Sequence, residues 1–241
     1  MYPLPAPKGL PSVAADGRGG VSLLPQTSAR PLAIFGGTFD PVHLGHLSVA
    51  WEAAELLDAE VRLLPASVPP HRVPPIATAG QRVAILRAAL HGQSRLMLDT
   101  RELDRSGPSF TIDTLHELRA EQGERPLVLL LGADAFAGLA SWHRWRELFG
   151  AAHLGVLSRP GVSAVLSDEL EREVAGRRVA GASALRALPA GKVIELAVTP
   201  LEISATRIRE LLAAGRDPRY LLPAGLFDDP ALLAAYRSPV A

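Results

Sequence analysis

An apolar run at residues 32–35, Leu-Ala-Ile-Phe, empties directly into Gly36-Gly37-Thr38-Phe39-Asp40-Pro41-Val42-His43-Leu44-Gly45-His46, and an apolar-periodic stretch follows. No other part of the chain narrows the fold as much. A short apolar run ended by glycines reads as a strand, and a 3.6-residue apolar period reads as a helix. Strand, glycine turn and helix start in direct succession form the opening unit of a parallel α/β sheet. A helix start leaves backbone N–H groups unpaired and carries the positive end of the helix dipole. The turn is therefore an anion site before any side chain is counted. His43 and His46, three residues apart, can aim further donors at the same anion. A zinc site is the natural rival for paired histidines, but there is no third ligand at helical spacing, no HExxH motif and no cysteine.

The rest of the composition removes several classes. The chain has 241 residues, 48% of them hydrophobic, which is enough for a sizeable core without cross-links. Lys plus Arg and Asp plus Glu are both 25, a formal balance of zero, which argues against a nucleic-acid partner needing a net basic face. No stretch approaches the ~18 uninterrupted apolar residues of a membrane span. The start of the chain has one early lysine, no sustained apolar block and prolines at 3, 5, 7 and 11, unlike a signal peptide. The expected setting is cytoplasmic, without membrane or nucleic-acid partners. A homo-oligomer stays open.

Residues 1–30 are rich in Pro, Gly, Ala and Ser and read as a flexible N-terminal arm, with residues 31–241 as a single domain. Within that domain strand and helix patterns alternate. Strands are expected at 32–35, 61–64, 96–98, 127–131, 153–157 and 193–196. Helices are expected at 47–57, 81–90, 110–118, 133–149, 168–174 and 204–214, with a short helical tail after Pro223. Residues 162–191 read as a variable region around the 168–174 helix. The expected fold class is α/β, a doubly wound parallel sheet whose ligands sit beyond the strands' carboxyl ends.

Further constellations punctuate this frame. Ser204 suits an N-cap, and Thr206 and Arg209 share one face near that helix start, so hydroxyl, guanidinium and free amides make a second anion cradle. The alternative is an ordinary capped surface helix. Prolines 69 and 70 stiffen a loop presenting His71 and Arg72, or simply make a rigid connection. Ser109-Phe110-Thr111 opens a helix. Asp134 follows the 127–131 strand, where it could bind ribose hydroxyls or cap the next helix. Trp142 and Trp145 would share one helical face, a spacing that by itself favours core packing. Arg159-Pro160-Gly161 ends a strand, and Tyr220-Leu221-Leu222-Pro223 precedes the tail.

Taken together, these motifs carry a resemblance. The His43–His46 pattern resembles the T/H-x-G-H signature of the nucleotidyltransferase superfamily. The longer run GGTFDPVHLGH is similar to that of bacterial nicotinate-nucleotide adenylyltransferases, and the likeness extends from Leu32 to about Pro223. It implies a Rossmann-like nucleotidyltransferase fold and transfer of an adenylyl group from ATP to nicotinate mononucleotide, with Mg2+ bound mainly through the ATP phosphates. It implies catalytic roles for His43, His46 and Arg209, and ATP contacts from Gly36, Gly37, Thr38, Phe39, Arg159, Ser204 and Thr206. Substrate contacts would come from His71, Arg72, Thr111, Asp134, Trp142 and His143, with Trp142 stacking on the pyridine ring.

The chain departs from the family pattern at three places. Ala205 stands where the ISSTxIR motif has a second serine, Arg72 where PPHK has lysine, and His143 where an aromatic often follows the tryptophan. Phosphopantetheine adenylyltransferase, another small-molecule nucleotidyltransferase, and a non-catalytic nucleotide-binding protein are the alternatives. A tRNA synthetase would need a KMSKS loop, and none is visible.

Overall fold

The computed structural model describes residues 30–67, 74–105, 107, 109–159 and 165–237. The elements run β1 (Leu32–Gly37), α1 (Leu44–Leu57), β2 (Glu60–Pro65), α2 (Ala79–Ala89), β3 (Leu96–Leu98), α3 (Thr111–Gln122), β4 (Leu127–Gly132), α4 (Ala133–Ala137), α5 (Leu148–Ala151), β5 (His153–Ser158), α6 (Asp168–Val174), β6 (Arg178–Val179), β7 (Val193–Ala197) and α7 (Ala205–Ala213). Single 3-10 turns lie at Leu139–Ser141, Trp145–Glu147, Ala182–Leu185, Ala224–Phe227 and Pro230–Tyr236.

The seven strands form one sheet in the order β3-β2-β1-β4-β5-β7-β6, and every pairing is parallel. From β1 the chain steps one way to β2 and β3, then crosses over to place β4 on β1's other side. The switch point therefore lies between β1 and β4, where a crevice opens beyond the strand ends. Gly36 at the end of β1 and Gly132 at the end of β4 are both exposed there, and a Cβ on either would meet nothing within 4 Å.

Strand alternation sorts the core into two layers. On β4, Val128 and Leu130 join one layer while Leu127, Leu129 and Leu131 join the other. On β1, Ala33 faces the first layer and Leu32 and Ile34 the second. Each fully buried leucine contributes ~1.5–3 kcal/mol, so a strand that is apolar on both sides is stable only between two helical layers. In β5, Gly155 has no room for a side chain: a Cβ there would stand 2.9 Å from Leu130 Cδ2 and 3.1 Å from Val128 Cγ1.

Three expectations give way. The 133–149 stretch is not one helix. It breaks into α4, two 3-10 turns and α5, because Trp142 is extended (φ −77°, ψ 149°) and Arg144 is left-handed (φ 52°). The two indoles consequently share no helical face. Trp145 is buried in the second layer, and Trp142 is half-buried at its margin. In α2 the buried stripe is Arg82, Ile85 and Leu86. The 162–191 region also contributes a strand, β6, which pairs with β7. The proposed arm at 1–30 lies outside the described residues except for Arg30.

Candidate functional site

Helix α1 starts at Leu44, three residues before the expected position 47, with His43 as its N-cap. The His43 backbone is extended (φ −142°, ψ 169°), and its Nδ1 accepts from the His46 N–H at 3.3 Å. Because Nδ1 is an acceptor, the ring proton sits on Nε2, which is left as a donor. The two imidazoles stack, centroids 3.7 Å apart and planes 25° apart. Phe39 lies edge-on to His46 at 5.1 Å, and its own side chain is buried. Among the first-turn amides, Leu44 donates to Leu221 O, and His46 and Leu47 donate to His43 O. The Gly45 N–H is left without a partner among the described residues. Gly45 suits a tight position: a Cβ there would lie 3.0 Å from His43 Nδ1 and 3.3 Å from Leu201 O, closer than most real contacts.

Burial and mutual repulsion set the protonation of this pair. Desolvation lowers His43 to about 4. Desolvation and then the neighbouring His43 lower His46 to about 3. Both rings are neutral at pH 7, so they act as N–H donors rather than as cations. His46 Nδ1 is buried with no partner among the described residues, and such an atom keeps a desolvation cost of ~1–3 kcal/mol until something pairs with it.

The loop before His43 is braced from three distant parts of the chain. Asp40 is buried, and its carboxylate accepts from the amides of Ile76 (2.8 Å) and Ala77 (3.1 Å) and from the Tyr236 hydroxyl (2.8 Å). Arg209 of α7 donates to the Asp40 carbonyl at 2.8 Å. Arg82, only 2% exposed, donates to Thr38 O at 2.8 Å and Ser67 O at 3.5 Å. Sequence reading missed Asp40, Arg82 and Tyr236 as members of the site. For Arg82 there was a signal: an arginine beginning the apolar spacing 82-85-86-89 cannot face solvent if that stripe is buried.

Next to this turn lies a cleft of about 640 Å³ lined by Arg159, Leu201, Glu202, Ile203, Ser204, Arg207 and Leu221. Leu201 and Leu221 are the residues already in contact with the α1 start, so the cleft and the histidine turn adjoin. Neither imidazole is itself among the lining residues. Ser204 caps α7 as expected, its Oγ accepting from the Arg207 N–H at 3.1 Å. The Ala205 and Thr206 amides find no partner among the described residues. Arg209 also donates to Thr206 Oγ1 at 3.2 Å, so the predicted hydroxyl–guanidinium pair is formed. Arg159 is exposed and pairs with Glu202 at 3.1 Å. Arg207, which was not singled out, lines the cleft beside it.

Across the switch point, Thr111 begins α3 and Phe110 is its N-cap. The Phe110 ring lies 4.2 Å from the His143 ring at 31°, which brings Thr111, His143 and Trp142 into one neighbourhood. Asp134 is exposed in the first turn of α4, and the N-cap there is Gly132. His71 and Arg72 lie outside the described residues. Among the described residues no group of three or more His, Cys, Asp or Glu could hold a metal ion, and no helix is long and apolar enough to cross a membrane.

The cytidylyltransferase-like family pattern matches residues 34–211. A protein of Dechloromonas aromatica described as a probable nicotinate-nucleotide adenylyltransferase is 48% identical over 215 residues, covering 87% of this chain and 99% of that protein. A Pseudomonas syringae protein of the same description is 46% identical, covering 88% and 96%. Among solved structures, the nicotinic acid mononucleotide adenylyltransferase of Plasmodium falciparum complexed with NaAD superposes with a TM-score of 0.61 at 16% identity, covering 86% of this chain and 94% of that one. The same enzyme complexed with APC gives 0.58 at 15% identity, with the same coverages. At those identities the structures speak for the fold alone. The sequence relatives carry the narrower conclusion: this chain belongs to the nicotinate-nucleotide adenylyltransferase family, within the cytidylyltransferase-like proteins.

Proposed function

We propose that the chain transfers the adenylyl group of ATP to nicotinate mononucleotide, giving deamido-NAD and pyrophosphate. The observation that carries this reading is the stacked, neutral imidazole pair at the α1 start, beside a cleft edged by Arg159 and Arg207. The nucleophile is the mononucleotide's own phosphate. Its second pKa is near ~6, so no general base is required at neutral pH. The difficulty is electrostatic: like charges 4 Å apart repel by ~4 kcal/mol at an effective dielectric of 20. Donors placed where charge builds on the transferring phosphorus, and others on the leaving group, lower that barrier without proton transfer.

In this reading His43 Nε2–H, His46 and the Gly45 amide contact the α-phosphate. Arg209, Ser204, Thr206 and the free α7 amides hold the β- and γ-phosphates. Gly36, Gly37, Thr38 and the Phe39 backbone form the floor beneath the nucleotide, with Arg159 at its rim. A divalent ion carried in with ATP would neutralise part of the phosphate charge, and the protein's share is the set of N–H donors from His43, His46, Arg209 and the helix-start amides. On the other side of the crevice Trp142 stacks on the pyridine, and the amides near Thr111 and His143 meet the nicotinate carboxylate. Asp134 takes ribose hydroxyls, and His71 and Arg72, outside the described residues, are assigned to substrate binding. Residues 31–241 act as one nucleotidyltransferase domain, and the reading carries with it a cytoplasmic location.

The test is pyrophosphate release from ATP and magnesium with nicotinate mononucleotide, nicotinamide mononucleotide or phosphopantetheine. Release with nicotinate mononucleotide several-fold faster than with the amide is the expected result. Faster use of the amide or of phosphopantetheine would overturn the assignment.

A further inference from the structure

The carboxylate of Asp40 is where three separated pieces of chain meet. One oxygen accepts from Ile76 N–H at 2.8 Å, and the other accepts from Ala77 N–H at 3.1 Å and from the Tyr236 hydroxyl at 2.8 Å. Tyr236 closes the last described turn, Pro230–Tyr236, and is 2% exposed. Ile76 and Ala77 stand just after residues 68–73. Asp40 itself lies three residues before His43, and its backbone carbonyl takes one N–H of Arg209. A buried carboxylate needs its charge matched by donors. Two of its donors are backbone, which leaves the hydroxyl as the only side-chain hydrogen bond to it among the described residues, with Arg209 Nη1 4.0 Å away.

We propose that Tyr236 is a positioning residue for the nucleotide turn. Through Asp40 it fixes the loop carrying His43 and His46 relative to Arg209 and to the segment following residues 68–73. The far end of the chain thereby completes a site whose reacting groups sit near its beginning. This rests on the adenylyl-transfer reading above. It adds that alignment depends on one hydroxyl that touches no substrate. A shift of about 1 Å in such a turn is enough to cost ~10²-fold in rate.

Tyr236→Phe keeps the ring in the core and removes only the hydroxyl. The expected result is kcat lowered about tenfold with KM for ATP and nicotinate mononucleotide within about twofold, the signature of lost transition-state alignment. Amide exchange at Ile76 and Ala77 should accelerate about fivefold to tenfold, since their acceptor has lost its anchor. In an Asp40→Ala background the same change should cost nothing further, because the hydroxyl acts through that carboxylate. Wild-type kcat in Tyr236→Phe, or a full multiplicative loss on top of Asp40→Ala, would overturn the proposal. Should Asp40→Ala not fold, the kcat-against-KM split and the exchange rates decide. The exchange measurement needs no substrate. A wild-type protein inert toward nicotinate mononucleotide, with exchange at Ile76 and Ala77 still responding to Tyr236→Phe, would strike the reaction assignment and support the link. An active wild type with neither kcat nor exchange responding would strike the link alone.

Discussion

The turn at the start of α1 and the broken stretch between β4 and β5 both border the crevice, and they are built in different ways. The first is nearly rigid by construction. His43 caps its own helix, the rings stack at 3.7 Å, and the loop is held by groups drawn from residue 76 to residue 236. The second combines short-range turns with contacts from farther along the chain. Ser141 Oγ donates to Gly138 O and Arg144 pairs with Glu147 three residues on, while Arg144 also reaches Asp113, Arg146 pairs with Glu169 and the Phe110 ring lies against His143. A centre that stabilises charge needs donors fixed in advance, and long-range bracing supplies that. In the proposed reading the second edge presents a flat aromatic and a few amides, and turns tied by exposed ion pairs are enough for that.

That contrast makes graded forecasts. The largest effect belongs to the braced side. His46→Ala should lower turnover ~10²–10³-fold in a protein that remains folded, the usual cost of losing a transition-state donor. Single-turnover rates check it, and full activity would remove the imidazole pair from the mechanism. On the second side the loss should appear in binding instead: Trp142→Ala should raise KM for the mononucleotide about tenfold with kcat nearly kept, since stacking a base on an aromatic is worth ~1–3 kcal/mol. Steady-state kinetics with either substrate varied separates the two cases. A kcat defect from Trp142→Ala would blur the distinction.

The smallest effect is on stability and pH. The native state holds His43 near 4 and His46 near 3 by burial, whereas both titrate near 6.5 when unfolded. Between about 6.5 and 4 the unfolded chain thus binds more protons, so stability falls as pH drops through that window and is insensitive to these rings above it. Burial lowers His153 as well and adds to the same slope. Thermal unfolding from pH 7.5 to 4.5 should show the decline, and it should be shallower in His43→Gln than in wild type. An unchanged slope would mean the rings are wetter than the geometry indicates.

The same contrast governs what could be read in advance. The order of β1, α1 and the histidines was legible because turn glycines, caps and apolar period are all local. The double winding followed from alternation alone. The α7 cradle was legible for the same reason, since Ser204, Thr206 and Arg209 lie within two turns. Arg82, Asp40 and Tyr236 were not, because their partners are 15 to 196 residues away and no local period reports such pairs. The helix expected at 133–149 failed for a complementary reason. Its residues have acceptable helical propensity, and tertiary placement of Trp145 in the core and Trp142 at the crevice overrode it. The two-residue strand β6 is too short for any periodic signal.

One detail of the histidine turn bears on how this site can change over time. A methyl group at position 45 would press on the ring of residue 43 at 3.0 Å and on the Leu201 carbonyl at 3.3 Å, so the two positions are coupled. Randomising codon 45 alone should favour glycine, while randomising 43 and 45 together should admit alanine more readily where a smaller side chain has replaced the imidazole. Drift away from this pair is a two-step path whose intermediate is disfavoured, which makes the spacing of the motif an inherited commitment rather than a freely tunable parameter.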